Sequence, residues 1–82
     1  MIHELKTWPE PFKAVKEGLK TFEYRWDDRH FQAGDTLLLR EFDPYTGLYS
    51  GDKVEMEVTY LMRGPLFGIP KGHCIMSIKV KH

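Results

Sequence analysis

The spacing of hydrophobic positions changes twice along the chain, and each change marks an element. Ile2 to Lys6 opens with a weak two-residue alternation, Ile2 and Glu4 against His3 and Leu5, which predicts a short strand. Thr7-Trp8-Pro9-Glu10 has the T-x-x-E form of a capping box, with Pro9 and Pro11 where a helix start tolerates proline. Phe12, Val15 and Leu19 then recur at helical spacing while Lys13, Lys16 and Glu17 are free to face water. Gly18 is a natural stop, so the pattern predicts one helix over about residues 9–17.

After the glycine the period becomes two. Phe22, Tyr24 and Trp26 share one strand face and Thr21, Glu23 and Arg25 the other, and the parity assigns the aromatics to packing. Asp27 to His30 is a turn, and Gly34-Asp35 opens Thr36 to Phe42, a run of strand length that reads as a buried central strand. Turn residues gather at Asp43 to Gly47 and again at Ser50-Gly51-Asp52. The cleanest alternation sets Val54, Met56, Val58 and Tyr60 against Lys53, Glu55, Glu57 and Thr59. An irregular glycine- and proline-rich loop over 64–72 precedes a last strand with Cys74, Met76, Ile78 and Val80 on its apolar face. Five strands joined by short turns favour antiparallel pairing, and a sheet this small protects its edges by curling. The expected architecture is mainly β within an α+β plan, a small, mostly antiparallel β-barrel with one early helix.

With 82 residues the chain makes a single domain, 1–82, because two independent cores need more chain. Twelve bases balance twelve acids, which excludes a polyanion-coating protein of high positive charge. The balance is uneven: no acid follows Glu57, while Arg63, Lys71, Lys79 and Lys81 do. One cysteine excludes an internal disulfide framework. No apolar run reaches the roughly 20 residues of a membrane span, and the start Met1-Ile2-His3-Glu4 lacks a signal-peptide pattern. A cytoplasmic protein with no membrane partner is the expectation.

Most familiar chemistry finds no support. His3, His30, His73 and His82 are scattered without helical metal-ligand spacing, so no metal is expected, and no cofactor fingerprint is present. Cys74 lies on an apolar strand face, where cysteine is a small core residue. Glu55 and Glu57 fit a solvated face better than a glycosidase pair. The stretch Gly18 to Arg25 differs, because Lys20, Glu23 and Arg25 gather directly after the helix. Two readings stand. Glu23 and Arg25 lie on the outer face of the sheet, or Lys20, Glu23 and Arg25 line a cleft in which paired charges present donors to a phosphate or nucleobase.

Gly18-x-Lys20-x-x-Glu23-x-Arg25 resembles the G-x-K-x-x-E-x-R signature of the ASCH domain family, within the PUA-like superfamily of small β-barrels. The whole chain looks closest to the DUF3850 group, through His3-Glu4-Leu5-Lys6, Gly18 to Arg25, Asp28-Arg29-x-Phe31-x-x-Gly34-Asp35 and Leu37-x-Leu39-x-Glu41. Asp52 departs from the basic residue expected after the Tyr-x-Gly segment, which weakens a phosphate role for that loop. The resemblance implies a PUA-like barrel that binds RNA or a nucleotide at a cleft beside the helix, with Gly18, Lys20, Glu23 and Arg25 as its ligand-binding residues. Tyr45 and Tyr49, in a turn-rich loop, are candidates for base stacking. The runner-up is a hydrolase resembling the relatives that act on N4-acylated cytidine, with Lys20 and Glu23 as catalytic candidates, or an RNA-cleaving enzyme. Glu23 stands where those relatives carry a threonine nucleophile, so it would act instead as a base on water. A protein-interaction module is the third reading, for which the pattern offers no exposed apolar stripe.

Overall fold

The computed structural model describes residues 1–81; His82 lies outside the described residues. Its elements run β1 (Ile2–Thr7), α1 (Pro9–Lys16), β2 (Phe22–Trp26), β3 (Thr36–Asp43), β4 (Leu48–Arg63) and β5 (His73–Val80). One mixed sheet has the order β1-β3-β4-β5-β2, with β1 parallel to β3 and every other pairing antiparallel. It curls into a half-barrel, so the expected five strands and early helix are present and the curl stops short of a full ladder. The sheet ends at β1 on one side and β2 on the other. Between them arginines bridge the seam: Arg25 Nη2 donates to the Lys6 carbonyl at 2.9 Å and Arg29 Nη1 to the Glu4 carbonyl at 2.7 Å. Charged side chains thus cover carbonyls that an edge strand otherwise leaves open.

The core lies on the concave face. Leu5, Leu37, Leu39, Met56, Val58, Cys74, Met76 and Ile78 project into it from the sheet, and Phe12, Val15 and Phe31 close it from above. Phe12 and Val15 are the two buried residues of α1, each contributing roughly 1.5–3 kcal/mol. Burial pushes the Cys74 thiol pKa up, as suits a core residue, with the nearby Asp27 charge acting in the same direction.

Four expectations are corrected. The capping box does not form: the N-cap is Trp8, with no side-chain cap bond, and Thr7 is the last residue of β1. Thr7 shares the inward parity of His3 and Leu5, so its side chain is committed to the buried face of the sheet and not to a cap. Leu19 is 78% exposed because Gly18, at φ +77°, reverses the chain before it. Ser50-Gly51-Asp52 is not a turn but part of the long β4, where Asp52 accepts a bond from Lys16 Nζ at 2.8 Å and ties the helix down. Finally, the register of β4 against β5 shifts between Val58 and Tyr60, and Tyr60 emerges on the solvent side instead of continuing the buried row.

The largest correction concerns β2. Glu23 is buried, whereas Phe22, Tyr24 and Trp26 are exposed on the convex face. Register explains the inversion: Glu23 sits opposite the buried Met76, so its neighbours on either side must point outward. Trp26 and Tyr24 flank His73 there, with ring centroids at 3.9 and 5.5 Å. An exposed apolar stripe is therefore present after all.

Candidate functional site

The glycine at the end of α1 is what delivers the site. After Gly18 reverses the chain, the amides of Leu19 and Lys20 both bond the Ala14 carbonyl, at 2.9 and 3.1 Å. That clamp sets Lys20 beside the start of β2. Glu23 then points to the concave side, and its two oxygens are both taken. Lys20 Nζ donates to Oε1 at 2.6 Å, and Arg25 Nε donates to Oε2 at 2.9 Å. The carboxylate is 4% exposed, while Lys20 and Arg25 are 19% and 27% exposed. Of the two sequence readings, the one that gathers Lys20, Glu23 and Arg25 in a cleft matches this placement. Gly18 contributes geometry and lies outside the cleft lining.

The cleft has a volume of about 230 Å³. Lys20, Glu23 and Arg25 line it together with Lys6, Thr7, Trp8, Pro11, Phe22 and Tyr24. Its charge balance favours acceptors. Lys20 spends two of its three N–H donors, on Glu23 and on the Phe22 carbonyl. Arg25 spends Nε on Glu23 and one Nη2 donor on the Lys6 carbonyl, and the rest of its planar fork stays available. Glu23 holds both cations in place, with one bond to each oxygen, and at 4% exposure it offers little surface to a ligand.

Lys6, Thr7, Trp8 and Pro11 are lining residues that the sequence pattern did not place in a site. The Thr7 Oγ1 is buried and has no hydrogen-bond partner. Such an orphan costs about 1–3 kcal/mol of desolvation, which makes it informative. Trp8 is exposed at the same cleft. The signal for Thr7 was its parity with His3 and Leu5, masked by the capping-box spacing.

Other candidates fall away from this centre. A larger hollow, about 630 Å³, flanks α1 and includes the Lys16–Asp52 pair. Both partners there are about half exposed, so solvent screens them, and no buried unpaired polar atom lines that hollow. Tyr49 is already packed, under the Arg40 guanidinium at 3.8 Å and against Phe42 at 5.0 Å. Tyr45 is 95% exposed and lines a separate hollow with Trp8, Pro9 and Pro11. Among the described residues no three His, Cys, Asp or Glu side chains converge as a metal site, and no helix is long and apolar enough to cross a membrane.

Comparison with known proteins follows the same stretch of chain. A family described as "Domain of unknown function (DUF3850)" matches residues 2–78, a span that includes every lining residue of the cleft. A relative, the "Uncharacterized 12.9 kDa protein in GpA 3'region" of Escherichia phage P2, is 43% identical over 58 residues, which cover 71% of this chain. The matched region spans about half of that relative, 51% of its length. From residues 2 to 78, nearly end to end, the chain belongs to the DUF3850 family.

Proposed function

We propose that the protein is a PUA-like, ASCH-type module that binds RNA or a nucleotide in the cytoplasm, through the cleft between α1, β1 and β2. The observation that carries this reading is the arrangement around Glu23. A buried carboxylate locks Lys20 and Arg25 so that their remaining N–H donors face a cleft with aromatic walls. Preorganised cations next to aromatic rings suit an oxygen-rich anion joined to a planar base. Trp8 supplies one ring, and Phe22, whose ring lies 4.7 Å from Lys20 Nζ, supplies another at the rim.

The hydrolase reading has weaker support. Both Glu23 oxygens are engaged in ion pairs, and no base touches the Thr7 hydroxyl, so no group is poised to deprotonate a water or a nucleophile. The test titrates the protein with short single-stranded RNA and with nucleotides, and assays product formation from N4-acetylcytidine in parallel. Lys20→Ala and Arg25→Ala are each expected to weaken binding by about 1–3 kcal/mol while remaining folded. Unchanged affinity in both folded variants would place the ligand elsewhere. Turnover of the acylated nucleoside, lost in Glu23→Gln, would favour the enzyme.

A further inference from the structure

We infer that Thr7 is the base-reading residue of this cleft, the hydroxyl that recognises a polar edge atom of a nucleobase while Lys20 and Arg25 hold the phosphate. The inference rests on the nucleotide-binding reading above and assigns separate parts of the ligand to separate parts of the cleft.

Depth is the first argument. Thr7 is 4% exposed, well below the cations at 19% and 27%. A phosphate carries a tight hydration shell and suits the shallower, charged positions, where donors remain and water is near. A neutral ring edge loses little on entering the deeper part and gains whatever hydrogen bond it finds there. The only side-chain oxygen or nitrogen among the described cleft residues that is both buried and unpartnered is Thr7 Oγ1. A hydroxyl both donates and accepts, so it pairs with a ring carbonyl, ring nitrogen or exocyclic amine.

The cost of the orphan is the second argument. On a β-strand, valine fills the volume of threonine, has high strand preference and carries no hydroxyl to desolvate. At an inward β1 position beside Leu5, valine would be the more stabilising residue. A hydroxyl that lowers stability in the free protein, on a residue that lines the candidate cleft, has a ready explanation in a partner that arrives with the ligand. Among the described residues His73 Nδ1 is the other unpartnered buried atom, but its ring packs against Tyr24 and Trp26 on the convex face and His73 does not line this cleft.

The experiment measures affinities of AMP, CMP, GMP, UMP and ribose 5-phosphate for the wild-type protein, Thr7→Val and Thr7→Ser, together with their melting temperatures. The expected result has opposite signs. At least one nucleotide binds wild type more tightly than ribose 5-phosphate does. Thr7→Val loses about tenfold of that affinity, leaves ribose 5-phosphate binding unchanged and melts about 4–8 °C higher. Thr7→Ser retains the base-dependent affinity. If Thr7→Val binds every nucleotide as wild type does, Thr7 is not the reader, although loss of binding in Lys20→Ala would still uphold the cleft. If affinity falls equally for nucleotides and ribose 5-phosphate, or falls together with the melting temperature, Thr7 is structural and the assignment is wrong. If no nucleotide and no ribose 5-phosphate binds wild type, both the assignment and the nucleotide reading fail.

Discussion

Among the described residues two side-chain carboxylates are buried, and they are used in opposite ways. Asp35 ends the loop before β3. Its Oδ2 lies 2.8 Å from His3 Nε2 and accepts the Gln32 amide at 3.0 Å, and its Oδ1 accepts from the Met1 ammonium at 3.2 Å. His3 is itself buried and packs edge-on against Phe31, with ring centroids 4.7 Å apart. Asp35 lines none of the four hollows described, so its bonds join β1, the preceding loop and β3 and end there. Glu23 is equally buried, but its partners lie on a cleft and keep donors to spare. Burial of a charge therefore does not mark a site. What distinguishes the Glu23 cluster is that its hydrogen bonds are incomplete on the side that faces the cleft, at Lys20, Arg25 and Thr7.

The comparison breaks first on stability. Asp35→Ala leaves the buried His3 and the Gln32 amide without their acceptor, and urea denaturation is expected to register a loss of about 3–5 kcal/mol. Glu23→Gln is expected to cost less, about 1–2 kcal/mol, because Lys20 and Arg25 are exposed enough to turn to water. Equal losses would mean that both clusters serve the fold alike.

Acid separates them next. Burial pushes the Asp35 carboxyl up, but bonds from His3, the Gln32 amide and the terminal ammonium outweigh it and hold the pKa below the usual aspartate value. A depressed folded pKa means that the unfolded chain binds the proton more readily. The Asp35 contribution is thus complete above the ordinary aspartate pKa of about 3.9 and fades as pH falls through the lower folded value. Stability measured from pH 6 down to pH 2 should fall most in that last interval, and Asp35→Asn should flatten the fall.

The smallest expected effect sharpens the boundary between seam and site. Arg29→Ala removes the bond to the Glu4 carbonyl and is expected to lower stability by about 0.5–1.5 kcal/mol, leaving nucleotide affinity unchanged. Arg25 also closes the seam, at Lys6, so Arg25→Ala should lower both. Affinity lost in Arg29→Ala would extend the ligand site along the seam.

Much of this fold was legible in the residues. The apolar parity of β5 at Cys74, Met76 and Ile78, the glycine that ends α1 and the Gly34-Asp35 entry to β3 each follow from local chemistry, and the structure places them as the pattern predicts, whereas Val80, expected on the same face, is exposed at the strand end. The parallel pairing of β1 with β3 was not legible, because the two strands are separated by α1 and β2 and nothing local records which of them meet. The orientation of β2 was open for a related reason. Alternation shows that Glu23 and the aromatics oppose one another, but only the register with Met76 decides which side is inside. Hydrophobicity alone favours burying Phe22, Tyr24 and Trp26, and here Lys20, placed by a glycine turn, and Arg25, on the same strand, make the buried carboxylate tolerable. Thr7 was concealed by a motif that its backbone position does not let it form.

The most direct test is an amide NMR titration of the labelled protein with the four nucleoside monophosphates and a short single-stranded RNA. The account predicts shifts concentrated at Lys6 to Trp8 and at Lys20 to Arg25, with His3, Gln32 and Asp35 unmoved. Shifts confined to the convex face around Trp26 and His73, or no shifts with any of these ligands, would contradict it.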